Sequence, residues 1–371
     1  MQYRAMNNLP GFDLDATPEE LQKAFQQAYE TYLKGARALT NAMDVPTGQT
    51  PKDLIWTLNK TQLYRYQPVK PQGERHPIPI LLVYALINKP YIFDLQPERS
   101  LMRHLLEQGF DVYLLDWGTP GPEDKNTTFN DYATIYLHRA IRKVLRVSGS
   151  KELTLLGYCI GAAITTFYAA AFPDAPIRNL ILLTPPLDFA DKKANGFTVW
   201  LDEKYLDVDR MVNTLGNIPV ELIETGSKML KPVDNYLGSY VSLLDRVEKD
   251  APVESWQAMH KWVHDGVPFA GEAFRQWAKD YIRENKLVRS EFVHEGQKVE
   301  MKNIACPLLV VIATYDHIVP NQQSRSILDV VGSTDKRIEE IAAGHVGIVI
   351  SSSAKKKLWP TISNWLAERS K

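Results

Sequence analysis

The stretch that most constrains the fold runs from Leu153 to Ala171. A short apolar segment, Leu153-Thr154-Leu155-Leu156, enters Gly157-Tyr158-Cys159-Ile160-Gly161, and small and apolar residues of helical type continue to Ala171. Strand, sharp turn and helix in that order make a nucleophile elbow, which lifts the turning side chain above the edge of a sheet. The turn needs strained backbone and close packing, so side chains at Gly157 and Gly161 would clash. The helix start directs free N–H groups and positive dipole at Cys159, which favours a thiolate and an oxyanion. An isolated cysteine is ordinarily a small buried hydrophobe. The strand before this one and the helix after it set it apart.

The 371 residues suffice for one large α/β domain with an insertion, or for two domains. With 43 basic and 44 acidic residues the net charge is −1, which argues against a nucleic-acid-binding footprint. Two cysteines, Cys159 and Cys306, supply neither a disulfide framework nor a zinc pattern. They fit a reducing cytoplasm, which suits a working thiol. Met1 to Asp15 has no basic region followed by an apolar core and reads as no signal peptide. The longest apolar run, Ile78 to Ile87, is strand-length and far short of the ~20 residues of a membrane span.

Thr17-Pro18-Glu19-Glu20 predicts a capped helix start, with the helix running to about Ala38. Pro46 to Pro51 reads as a linker, and Ile55–Leu58 and Gln62–Tyr66 as short strands hinged at Asn59-Lys60. An alternation then begins: strand Ile80–Ala85, helix Glu98–Gln108, strand Asp111–Asp116, a long amphipathic helix Phe129–Val147, the elbow, and strand Asn179–Thr184. From Leu187 to about Val299 it gives way to helical patterns rich in aromatics, including Trp200, Tyr205, Tyr236, Tyr240, Trp256, Trp262, Phe269, Phe274, Trp277 and Tyr281, which we read as an inserted cap. It resumes with strand Pro307–Ala313, helix Gln322–Val331, strand Lys336–Ile341 and a closing helix Ala354–Arg369. The expected organisation is an N-terminal helical segment and linker over 1–52, a core over 53–186 and 301–371, and a cap over 187–300.

Strands separated by helices imply a mostly parallel, doubly wound sheet with ligands at the carboxyl ends of the strands. Three such ends carry candidates: Cys159 after the elbow strand, Asp316 after Val310–Tyr315, and His345 in Gly344-His345-Val346-Gly347 after the last strand. Nucleophile, acid, base is the chain order of α/β-hydrolases, the fold expected here. His345 can take the proton of Cys159, and Asp316 can fix the tautomer of His345. His317 is a rival base and Asp188 a rival acid; we rank His345 and Asp316 ahead of them. The backbone N–H of Ile160, and a second from the loop Ala85–Asn88, assigned to Ile87, are expected to form the oxyanion hole. A thiol exchanges one thioester for another of similar energy, so the bound acyl group stays reactive toward an alcohol. Acyl transfer to a hydroxyl therefore suits cysteine better than simple hydrolysis does.

Several longer motifs stand around these residues: Tyr84-Ala85-Leu86-Ile87-Asn88-Lys89-Pro90-Tyr91, Asp94-Leu95, Ser100-Leu101, Asp111-Val112-Tyr113-Leu114-Leu115-Asp116-Trp117-Gly118, Gly216-Asn217-Ile218-Pro219, and Asp316-His317-Ile318-Val319-Pro320. With the box Gly157–Gly161 and Gly344-His345, they resemble polyhydroxyalkanoate synthases from about Trp56 onward. The family often has a second glycine where Ala162 stands. The short length resembles the two-component classes III and IV. The stretches Asn59–Tyr66, Leu156–Cys159, Asp202–Tyr205 and Lys228–Pro232 lean toward class IV.

The resemblance implies polymerisation of 3-hydroxyacyl-CoA, with CoA as carrier and product and with no cofactor or metal. It implies a small accessory subunit (PhaR-like or PhaE-like), a homodimer or hetero-oligomer, and a cytoplasmic enzyme on polymer granules. A thioesterase or small-molecule acyltransferase, and a non-catalytic granule scaffold, are the alternatives. Cys306 starts the strand whose other end carries Asp316, some ~20–30 Å from the site at 3.3 Å per residue. It is therefore no second thiol for a growing chain. Either a second subunit lends its Cys159, or one thiol works with a CoA-bound intermediate. The cap is expected to exclude water, with aromatics lining or gating the site.

Overall fold

A computed structural model describes residues 17–191, 198, 201–231 and 237–370. Its sheet is built from β1 (Lys52–Leu58), β2 (Thr61–Tyr66), β3 (Ile80–Val83), β4 (Val112–Asp116), β5 (Leu153–Tyr158) and β6 (Ile177–Leu183). A small hairpin, β7 (Val293–His294) and β8 (Gln297–Lys298), stands apart, and β9 (Leu308–Ala313) and β10 (Lys336–Ile341) complete the sheet. The order is β1-β2-β4-β3-β5-β6-β9-β10. β1 and β2 pair antiparallel, as do β2 and β4, and every other neighbouring pair is parallel.

The sequence pattern explains the layering. Every residue of β3, β5 and β9 is buried, as expected of strands covered by helices on both faces. Each fully buried leucine among them contributes roughly 1.5–3 kcal/mol relative to exposure. The edge strand β1 is half exposed, and Asn59 takes the positive φ of 52° that lets the chain turn into β2.

Four expected helices differ in detail, one of them the closing helix, which opens with a π-turn at Ala354–Leu358 before its α-helical part Trp359–Arg369. Ser100 accepts from Arg103 N at 3.0 Å, so the second helix starts at Leu101, behind a single turn at Pro97–Arg99. The segment read as one helix over Phe129–Val147 passes through a wider π-turn at Tyr132–Leu137, which keeps Tyr132, Ala133 and Leu137 buried. The helix expected over Gln322–Val331 is two short ones, Asn321–Arg325 and Ile327–Val330, hinged at Ser326.

Between β6 and β9 the described residues form helices Val208–Leu215, Val220–Lys228, Ser239–Glu248, Glu254–His264 and Gly271–Gln276, the last running into a π-helical turn, Trp277–Arg283. Trp200 and Tyr236 lie outside the described residues. Two of the cap aromatics fasten this layer to the core. Trp277 and Tyr281 lie 4.9 and 4.5 Å from the ring of Phe129, and Tyr281 packs on Phe292. The N-terminal helix Pro18–Thr40 carries the expected capping box, Thr17 with Glu20. It docks on the cap rather than on the main core, through a small cluster of Ala38, Ala42, Leu243, Val247 and Trp256. Gln257 Nε2 donates to Ala38 O at 2.8 Å across the same contact.

Candidate active site

The elbow is held by backbone, and its glycines are steric necessities. Cys159 has φ 52° and ψ −125°, strained geometry for a residue with a Cβ. A Cβ on Gly161 would stand 2.3 Å from Val83 O and 2.5 Å from Tyr84 O. A Cβ on Gly157 would stand 2.4 Å from Thr165 Oγ1 and 2.6 Å from Ala162 Cα. The elbow therefore packs hard against the end of β3, where the loop carrying Ile87 begins. Ala162, the next residue, is fully buried within the helix.

Cys159 N donates to Leu183 O at 3.0 Å, so the nucleophile stays in register with β6 although its side chain has left the strand. Ile160 leads the helix Ile160–Ala171, a position whose N–H has no partner inside a helix. Ile87 is half-buried, and its carbonyl accepts from Val267 N of the cap at 2.9 Å. An antiparallel bridge joins Asn88 to Gly266, and Trp262 Nε1 donates to Lys89 O at 2.8 Å.

The structure brings Asp316 and His345 together: His345 Nδ1 lies 2.7 Å from Asp316 Oδ2. Asp316 Oδ1 accepts from Ile318 N at 2.9 Å and Val319 N at 2.8 Å, so backbone fixes the carboxylate before it meets the imidazole. Side-chain exposure is 5% for His345 and 1% for Asp316. Burial alone would lower the pKa of His345. The Asp316 carboxylate and Cys159, through charge and hydrogen bonding, overcome that and raise it from 6.5 to about 10. Cys159 is itself 8% exposed, so the three side chains share a site nearly closed to solvent. Closure strengthens each charge interaction and keeps water from a reactive acyl group.

Asp188, the rival acid, is placed elsewhere. Asp188 accepts from Asn285 Nδ2 at 2.8 Å and from Ala190 N at 3.0 Å, while Phe189 N donates to Asn285 Oδ1 at 3.1 Å. That reciprocal lock pins the start of the inserted segment to its end. His317 follows Asp316 in the same turn, but His345 is the histidine on the carboxylate. Cys306 precedes β9 at the opposite end of the sheet, and burial raises its thiol to about 11. Strand register puts it ~20 Å from Cys159 along the strands and two strands across.

Tyr158 was legible only as a motif position, and its role is structural. Its hydroxyl donates to His345 O at 3.1 Å, and its ring lies 5.3 Å from the imidazole and 5.6 Å from the ring of Tyr84. The residue before the nucleophile thus holds the backbone of the base. A tyrosine between a Gly and a Cys at a strand end was the available signal, but its partner lies 187 residues away.

Comparison with known proteins agrees with this fold. Residues 78–350 match the alpha/beta hydrolase fold family, and residues 16–105 match the poly-beta-hydroxybutyrate polymerase (PhaC) N-terminus. The second match extends the likeness well upstream of Trp56. The chain is 38% identical over 359 residues to the poly(3-hydroxyalkanoate) polymerase subunit PhaC of Haloferax mediterranei, covering 97% of this chain and 72% of the relative. It is 36% identical to the subunit of the same name from Allochromatium vinosum, covering 96% of this chain and 100% of the relative. Among solved structures, a monoglyceride lipase from Saccharomyces cerevisiae matches with a TM-score of 0.56 at 16% identity, covering 89% of this chain and 98% of that one. A monoacylglycerol lipase from Paleococcus ferrophilus gives 0.52 at 20% identity, covering 83% and 99%. These two show the fold alone. An eight-stranded α/β-hydrolase sheet with a cysteine at its elbow, and full-length likeness to named polymerase subunits, place the chain in the poly(3-hydroxyalkanoate) polymerase PhaC family.

Proposed function

We propose that the chain polymerises 3-hydroxyacyl-CoA thioesters, short-chain ones such as 3-hydroxybutyryl-CoA, through an acyl-Cys159 intermediate. The observation that carries this reading is the buried Asp316–His345 pair set beside a strained elbow cysteine. In the first half-reaction the Cys159 sulfur attacks the thioester carbonyl. The new S–C bond forms, the bond to the CoA sulfur breaks, and the departing thiolate takes the proton held on His345. The oxyanion is held by Ile160 N–H and by an N–H of the Ile87 loop. In the second half-reaction His345, steadied by Asp316, takes the proton of a 3-hydroxyl as its oxygen attacks the acyl-cysteine. The ester C–O bond forms, the C–S bond breaks, and Cys159 leaves as the thiolate partner of the imidazolium. Both Asp316 oxygens are already engaged, which favours a supporting role for it over direct contact with the hydroxyl.

A small accessory subunit and the polymer granule surface belong to the same reading. Among the described residues no helix is long and apolar enough to cross a membrane. The purified chain, with and without a co-expressed small subunit, is incubated with 3-hydroxybutyryl-CoA while CoA release and polymer are followed together. CoA release matched by polymer supports the proposal. Release matched by free acid makes the chain a thioesterase, and no release makes it a scaffold.

A further inference from the structure

The strands that carry Cys159, Asp316 and His345 are β5, β9 and β10, and the one between them is β6. The residue just past the end of β6 is Thr184. It stands beside Cys159, because Tyr158 pairs with Leu183 and Cys159 N bonds to Leu183 O; neighbouring strands lie about 4.8 Å apart. Thr184 N in turn donates to Val311 O of β9 at 2.8 Å. Thr184 therefore occupies the gap that His345 spans to meet both of its partners.

Two properties of Thr184 are costly unless they are used. Its φ is 44°, a left-handed conformation rare for a β-branched residue, and such strain concentrates at functional sites. Its hydroxyl is buried, with the residue 1% exposed, and has no hydrogen-bond partner. The segment that follows it packs on the helix after Asp316. Leu187 N and Asp188 N both donate to Gln323 O, and Ser324 Oγ donates to Pro185 O at 2.8 Å. On that facing segment Gln323 is 3% exposed with neither amide atom paired, and Asn321 Oδ1 and Ser326 Oγ are buried and unpaired as well. Thr184, beside the nucleophile in strand register, and the segment packed on the residues after it thus carry five unpartnered polar atoms between them. Each gives up its solvation without return if nothing meets it.

We propose that this seam, with Thr184 and Gln323 as its principal groups, is a polar subsite for the incoming hydroxyl and ester oxygens of the acceptor acyl chain. The inference rests on the polymerase reading and deepens it. A 3-hydroxyl both donates and accepts, and the seam offers both: the Thr184 hydroxyl, the Gln323 Nε2 donor and the Gln323 Oε1 acceptor. The donor acyl group is covalently held on Cys159, so the second half-reaction depends on the seam more than the first does.

The test separates the two half-reactions by rapid quench with 3-hydroxybutyryl-CoA. The burst of CoA reports acylation, and the steady state reports transfer to the acceptor. Thr184→Val and Gln323→Met are each expected to keep the burst within about twofold. Each should slow the steady state about tenfold, the effect of one lost hydrogen bond to substrate, and Thr184→Ser should restore it. A steady state unchanged in both variants, or a burst that falls in parallel with it, overturns the inference. If Thr184→Val does not fold, Gln323→Met carries the comparison; if neither folds, these groups serve folding and the inference fails. Absence of any burst in the unmodified protein refutes the polymerase reading instead.

Discussion

Replacing Asp316 with Asn removes one charge while keeping size and shape. Asp316 Oδ1 receives two backbone N–H bonds, from Ile318 and Val319, so the asparagine settles with its oxygen there. Its amide nitrogen then faces His345 Nδ1, where the carboxylate oxygen had been 2.7 Å away. Two donors cannot share that bond, so Nδ1 becomes the acceptor and Nε2 carries the proton. That tautomer cannot accept a proton from Cys159 or from an incoming hydroxyl. Loss of a carboxylate behind a catalytic histidine costs about 10⁴-fold in turnover in the serine-protease precedent, and a loss of roughly 10³–10⁴-fold is expected here.

The same substitution alters stability against pH. His345 is raised from 6.5 to about 10 in the folded state, against its own burial, chiefly by Asp316 with Cys159. At about 1.4 kcal/mol per tenfold in proton affinity, that is a net stabilisation of the imidazolium of roughly 5 kcal/mol, after its burial has been offset. Because the folded value is the higher one, this contribution is fully present below pH 6.5 and fades as pH rises through about 10. Urea unfolding at intervals from pH 6 to pH 10 should therefore show wild-type stability falling with pH, and a much flatter profile for Asp316→Asn. Turnover above a tenth of wild type, or parallel stability profiles, would refute the reasoning.

Three further substitutions probe the frame around the site. Gly161→Ala forces a methyl group to 2.3 Å from Val83 O, so the elbow must move; soluble protein with wild-type turnover would contradict the packing described. Tyr158→Phe keeps the ring beside His345 but removes the bond to His345 O, and should cost about 1 kcal/mol in thermal unfolding and severalfold in turnover. Cys306→Ala should leave turnover within twofold, since the thiol sits at the far end of β9 with its pKa raised by burial; steady-state CoA release checks it.

Local sequence carried most of the architecture because the decisive signals were local. β3 and β9 are uninterrupted apolar runs and β5 a buried one broken by Thr154, the Asn59-Lys60 turn separates two strands, and Thr17 with Glu20 closes its capping box within one turn. Cys159, Asp316 and His345 stood out because each follows a strand end in a fold that collects strand ends, and the structure joins Asp316 to His345 directly. What stayed hidden depended on partners far along the chain. The π-turn at Tyr132–Leu137 accompanies the packing of Tyr132 on Trp117 at 5.2 Å, a contact that no helical period announces. The Asp188–Asn285 lock, the Val267–Ile87 bond and the seam at Thr184 each join segments that no periodicity connects. The packing of the cap aromatics was hidden for a related reason. Composition shows that they are abundant, but only packing shows that Trp277 and Tyr281 face Phe129.

The most direct measurement is mass spectrometry of the protein quenched in acid within its first turnovers on 3-hydroxybutyryl-CoA. A hydroxyacyl adduct on the peptide carrying Cys159, absent from the peptide carrying Cys306 and lost in Cys159→Ser, is the predicted result. CoA released at the normal rate with Cys159 unmodified, or with the acyl group on another residue, would contradict it.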